Sequence, residues 1–171
     1  MHGLAIIALC VAASVVYGVA QDLVTAHLCV EYFTIGHPKV IDSQEPVALA
    51  LAWGVLATWW VGLAGGLVLA AAARGGPWPK RSARDLVKPL GWALLGMAVT
   101  ATLAGVAGHV AASQGLVKLV GDAEWRVPQE RHVAFLTNLW AHLAAYGAGG
   151  AAILLVAGLV LRGRRREHAA A

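Results

Sequence analysis

Four stretches of the chain carry no Asp, Glu, Lys or Arg: about Gly3 to Ala20, Val47 to Ala73, Leu90 to Ala112 and Val133 to Leu161. A backbone inside a bilayer must satisfy its own hydrogen bonds, so such runs have to be helices or barrel strands. Barrel strands are about ten residues long with alternating polarity, whereas these runs are continuous and rich in Ala, Leu and Gly. About 20 helical residues cross a roughly 30 Å hydrocarbon core. The sequence therefore predicts an all-α, four-transmembrane-helix bundle with helices over about 3–33, 47–73, 89–113 and 129–162, in one membrane domain spanning 1–171.

Composition agrees, with 59% hydrophobic and only 13% charged residues in 171. Globular chains average about 25% charged residues, and the deficit excludes a soluble enzyme, a disordered chain and a nucleic-acid module. Two cysteines, Cys10 and Cys29, make no disulfide framework. Gly18-Val19-Ala20 before Gln21 looks like a signal-peptide cleavage site, but Met1-His2-Gly3 supplies no basic start, so the first helix reads as a retained anchor continuing past Asp22 to about Phe33.

The connections carry opposite charge. Arg74, Lys80, Arg81, Arg84, Lys88, Arg162, Arg164, Arg165 and Arg166 face only Asp85 and Glu167, which gives +7. The other side holds Lys39, Lys118, Arg126 and Arg131 against Asp22, Glu31, Asp42, Glu45, Asp122, Glu124 and Glu130, which gives −3, and together they make the net +4. Positive loops stay inside, so both termini are expected in the cytoplasm, with short extracytoplasmic loops and anionic lipid head groups as partners of the basic face. A homo-oligomer or another membrane protein is a further expected partner.

Local signals punctuate the runs. Gly75-Gly76-Pro77-Trp78-Pro79 ends the second helix, and Ser82 to Asp85 can cap a short surface helix leading to Pro89. Asp42-Ser43-Gln44-Glu45 reads as a capping box for the second helix. Small residues four apart, Gly62/Gly66, Ala101/Gly105 and Ala144/Ala148, allow close backbone packing.

Polar residues within apolar spans are costly and therefore informative. His27, His37, His109, His132 and His142 all fall in the extracytoplasmic half, joined by Asp22, Glu31 and Asn138. By the helical rise, His27 lies about 9 Å below the end of the first helix, His109 about 6 Å below the end of the third, and His142 about 15 Å along the fourth from His132. His27/Glu31 and Asn138/His142 are i,i+4 pairs, with Tyr146 one turn further. Imidazole and carboxylate one turn apart form half of a divalent-metal site, so His27, Glu31, His109 and His142 are candidate metal ligands. Asp22, His37, Arg131, His132 and Asn138 are candidate supporting groups, and Asp22, too deep for a solvated loop, needs a partner such as Arg131 or a histidine. HExxH, paired ExxH and CxxC motifs, Gly-rich phosphate loops and serine elbows are missing from the sequence.

Tyr17-Gly18, Gln21-Asp22, Thr25-Ala26 and Cys29-Val30-Glu31-Tyr32-Phe33-Thr34-Ile35-Gly36-His37-Pro38 resemble a segment of an uncharacterised family of small bacterial membrane proteins. Val127-Pro128, Arg131 to Phe135 and Leu139-Trp140-Ala141-His142-Leu143 are similar to that family's last helix. The resemblance covers about a quarter of the chain and implies a bacterial four-helix membrane protein without an assigned activity. It directs attention to Asp22, Glu31, His37, Arg131, His132 and His142.

Three functions compete at this point. One is a metal- or haem-dependent site opening to the extracytoplasmic side, acting on a lipid-soluble or periplasmic substrate. Another is a non-catalytic subunit or assembly partner whose buried polar residues fix helix packing. The third, a proton or ion pathway, is weakest because the inner halves of the helices offer only Ser, Thr and Cys10.

Overall fold

The computed structural model describes residues 2–170, which form helices and no strand. The elements are α1 (His2–Leu28), α2 (Glu31–Thr34), α3 (Pro46–Leu56), α4 (Trp59–Arg74), α5 (Ala83–Ser113), α6 (Asp122–Arg126), a 3-10 turn at Gln129–Arg131, and α7 (His132–Ala169). Four stretches are long and apolar enough to cross a membrane: α1, α3 with α4, α5, and the 3-10 turn with α7.

Two helix pairs build the molecule, and small residues make both. In the first, α1 lies against α3 and α4 at backbone contact: a Cβ on Gly54 would come within 2.6 Å of Val19 Cα, and one on Gly62 within 2.7 Å of Val11 Cα. In the second, a Cβ on Gly105 would meet the Ala141 side chain at 3.3 Å, and one on Gly108 the Trp140 side chain at 2.6 Å. The outward faces, with Val16, Leu103 and Leu154 each more than 60% exposed, are apolar and suited to lipid. One core cluster sits around Phe33, Leu49 and Phe135, and the other around Ile6, Leu69, Leu86 and Val156.

Gly54→Ala or Gly62→Ala should therefore destabilise the protein by about 1–3 kcal/mol, because backbone on the facing helix cannot move aside as a side chain can. Gly91 has nothing within 4 Å of its Cβ position, so Gly91→Ala should be neutral or slightly stabilising. Denaturant titrations of the three variants in mixed micelles check this, and equal effects at all three sites would refute the close-packing account.

Helix boundaries depart from the sequence expectation in five places: α7 runs on to Ala169, past the expected end near 162, and the other four have a local reason. α1 stops at Leu28 and not at Phe33: the chain breaks at Cys29–Val30, Arg131 of the 3-10 turn donates to Leu28 O, and Glu31–Thr34 forms the separate turn α2. The second span breaks at Ala57–Thr58, where the Thr58 hydroxyl donates to Gly54 O and competes with the helical ladder. Its start shifts as well: Pro46 occupies the first turn, so Glu45 and not Asp42 is the N-cap, and Ser43 Oγ accepts the Glu45 N–H at 3.1 Å. No separate surface helix precedes Pro89; the backbone N–H and hydroxyl of Ser82 donate to Asp85 at 2.7 and 2.8 Å, and the capped helix runs straight through Pro89. At the other end of α5, Gly115 at φ +72° permits a Schellman ending, with Leu116 N–H donating to Ala111 O and Gly115 N–H to Ala112 O.

Candidate functional site

Residues of the 3-10 turn and of α7 reach across to α1 and α2 along one seam. Arg131 Nε donates to Glu31 at 3.0 Å, and its Nη2 donates to Leu28 O at 2.9 Å. Asn138, fully buried, donates to Thr25 O at 2.8 Å and more weakly to Cys29 O at 3.4 Å. Thr25 O and Cys29 O also accept the backbone N–H groups of Cys29 and Tyr32, so Asn138 adds a second donor there, whereas Arg131 supplies a donor to Leu28 O at the end of α1. Asn138 Oδ1 is buried without a partner, the one such side-chain atom among the described residues.

One turn beyond Asn138, His142 Nε2 lies 3.0 Å from Asp22 Oδ1, and Asp22 is buried. His142 Nδ1 lies 2.9 Å from Asn138 O, which can only accept, so Nδ1 carries a hydrogen. Without another proton, Nε2 and Oδ1 would then oppose lone pairs. The geometry requires one proton between them, either as carboxylic acid with imidazole or as carboxylate with imidazolium, and both forms have zero net charge.

The remaining histidines point elsewhere. His27 is exposed and donates to Leu23 O of its own helix at 2.6 Å; five residues from Asp22, it lies about 140° around α1 from that carboxylate. His109 is exposed and bonds Thr137 Oγ1 at 3.2 Å, and Thr137 donates to Val133 O. His132 bonds Val127 O at 2.9 Å. Among the described residues no three His, Cys, Asp or Glu side chains gather to hold a metal ion. The expected convergence of His27, Glu31, His109 and His142 is thus corrected: depth along each helix placed them at similar levels, but helix phase sends them to different faces.

Glu31 belongs to the seam. Burial would raise its carboxyl, but its own backbone N–H, Arg131 and the Cys29 thiol together hold it below the usual carboxylate range. A depressed folded-state value means that this stability is present above the ordinary carboxylate range and is lost as pH falls through the lowered value. Glu31→Gln should accordingly lower the unfolding midpoint clearly at pH 7 and by less at pH 3, whereas Glu45→Gln, with Glu45 exposed and making no side-chain cap, should change little at either pH. Parallel melts at the two pH values check it, and identical shifts for both variants would remove Glu31 from the seam.

Asp22 and His142 also form part of the wall of a cleft of about 130 Å³ between the two helix pairs. Its lining runs from His37, Phe33 and Trp53 at one end to Cys10 and Leu90 at the other. Tyr32 packs on the His142 ring at 4.7 Å, and His37, donating to Tyr32 O at 2.8 Å, stacks on Phe33. Tyr146 is the exposed lining residue, at 46%, so the cleft meets the surface there. Tyr146 lies about 21 Å along α7 from His132, a depth that faces hydrocarbon. The sequence names His37 as a supporting group and gives Tyr17, Tyr32 and Trp53 no role at the site; the i,i+4 step from His142 to Tyr146 is the one signal it offers. Compared with known protein families, curated proteins and solved structures, the chain matches none.

Proposed function

We propose that this is a multi-pass protein of a bacterial inner membrane that binds a small lipid-soluble molecule in the cleft between its helix pairs. The observation that carries the reading is an apolar cleft with its mouth at Tyr146, at bilayer depth, and one buried proton-bearing pair, Asp22–His142, in its wall. Ligand sites are typically apolar cavities with a few convergent polar groups, and a mouth opening on hydrocarbon selects solutes dissolved in the bilayer. The polar pocket of the extracytoplasmic half is kept from the sequence reading, with the proton pair in place of a metal. The excess of basic residues at the opposite end supports both termini in the cytoplasm, against anionic head groups. The family resemblance of the segments around 17–38 and 127–143 supports the bacterial setting.

A neutral photoreactive aryl diazirine, applied to the protein in nanodiscs, tests this. Label should appear at the buried positions Cys10, Leu90 and Ala145 in addition to lipid-facing Leu103 and Leu154, and cleft-filling Ala93→Phe or Ala152→Phe should reduce the buried label at least about tenfold. Label confined to lipid-facing residues would overturn the proposal.

A second reading, a non-catalytic membrane subunit whose buried polar groups fix helix packing, is favoured by the fact that Arg131, Asn138 and His142 all end on α1–α2 atoms. Under it, Asp22→Asn and His142→Gln would change stability or assembly while leaving cleft labelling untouched.

A further inference from the structure

We propose that the cleft's ligand class is the lipophilic organic cation, taken up in exchange for the proton shared by Asp22 and His142. This deepens the cleft reading above and rests on it.

The lining holds one carboxylate, Asp22, and no Lys or Arg. An anionic head, whether phosphate or carboxylate, would find no cation and would face Asp22 across a medium of low dielectric. Five aromatic side chains, Tyr17, Tyr32, Phe33, Trp53 and Tyr146, line the same space. Aromatic faces attract cations most strongly where water is excluded, and their apolar bodies suit the hydrophobic substituents that make an ammonium or phosphonium lipid-soluble. A neutral amphiphile would fit the shape, but it would leave the buried acid without a use.

The proton account points the same way. With Nδ1–H of His142 committed to Asn138 O, loss of the shared proton leaves a net −1 on Asp22 beside the Nε2 lone pair. A bare buried carboxylate is costly unless a positive charge replaces what has left. A bound monovalent cation is that replacement: the cation enters, the proton passes to solvent, and the net charge of the cleft is zero before and after. The other titratable groups facing the pair are Tyr17 and Cys10 from α1, Tyr32 from α2, His37 from the following loop and Tyr146 from α7; α3, α4 and α5 contribute none to the lining.

Phenyltrimethylammonium, whose charge does not titrate and whose single ring suits a cleft of this size, is the probe, with tert-butylbenzene as its neutral molecule of the same shape. The full-length protein in detergent should bind the cation about tenfold more tightly per pH unit while the pair is protonated, and should release one proton per cation, read from binding heats in two buffers of different ionisation enthalpy. Asp22→Asn should weaken binding about 100-fold or more and abolish proton release. His142→Gln, which leaves Asp22 as the acid, should still release one proton per cation but with a pH profile displaced from that of the wild type. The wild-type proton count stands by itself if either variant fails to fold. Equal affinity for the neutral hydrocarbon, or pH-independent wild-type binding, would overturn the exchange and leave the cleft reading intact. Failure of both probes to bind, with no effect of Ala93→Phe, would overturn both.

Discussion

Replacing Arg164 by Met should lower the unfolding free energy by about 1–3 kcal/mol, the range for leaving buried acceptors without their donor. Arg164 is fully buried. Its guanidinium donates to Pro79 O at 2.6 Å, to Gly75 O at 2.7 Å, to Trp78 O at 3.1 Å and to Ala72 O. No carboxylate pairs with it among the described residues. Its charge is instead balanced by carbonyl dipoles at the C-terminal end of α4 and in the loop that follows, where a helix favours a cation. The ring of Trp78 lies beneath, 5.7 Å from Arg164 Cζ and 4.5 Å from Arg165 Cζ. Methionine fills a similar space but leaves four acceptors without a donor. Lysine restores charge yet cannot reach four carbonyls from one ammonium, so Arg164→Lys should recover less than half of the loss. Arg162→Met, at an exposed position on the same helix, is the control; a loss no larger than the control's would refute the clamp. Faster tryptic cleavage at Lys80 and Arg81 should accompany the loss, because the loop they occupy is what Arg164 holds.

The second large effect is expected at Asn138. Asn138→Asp should cost at least about 3 kcal/mol, and Asn138→Leu about 1–3 kcal/mol. Aspartate would point carboxylate oxygen at Thr25 O and Cys29 O in a fully buried position, turning a donor into a third acceptor. Leucine removes the donors but also removes the orphaned Oδ1, which explains its milder cost. Amide exchange at Cys29 to Phe33 should accelerate in both, because Asn138 ties the carbonyls of Thr25 and Cys29 to α7. Equal destabilisation by Asp and Leu would show that Asn138 merely fills space.

The family-like segments of the sequence, around 17–38 and 127–143, meet in space: Asp22 touches His142, Glu31 touches Arg131, and Thr25 touches Asn138. Reading them one after the other revealed polar residues in apolar runs, and Asp22 was rightly expected to need a partner. It could not reveal that the partner is His142 and not Arg131. The breaks after Leu28 and at Thr58 were invisible for a related reason. The donor to Leu28 O comes from a residue about a hundred positions away, and the Thr58 hydroxyl acts on a carbonyl one turn back within an otherwise unbroken apolar run.

Four spans were legible because hydrocarbon solvent tests each segment separately: a charge-free run of sufficient length is a helix whatever packs beside it. Small residues at Gly62 and Gly105 marked close-packed faces for the same local reason, since a missing side chain is a property of the residue itself. Which polar residues meet is decided by helix phase and by the partner each face receives. His27 and Asp22 share a helix and lie only five residues apart, yet rotation of about 140° places one at the surface and the other in a cleft wall. Arg164, one of four arginines in the basic tail, is the only one of them buried, because the loop carbonyls it satisfies come to it only once α4 and α7 are packed. Burial and pairing are properties of two chain segments at once, and only the tertiary structure brings the second segment to the first.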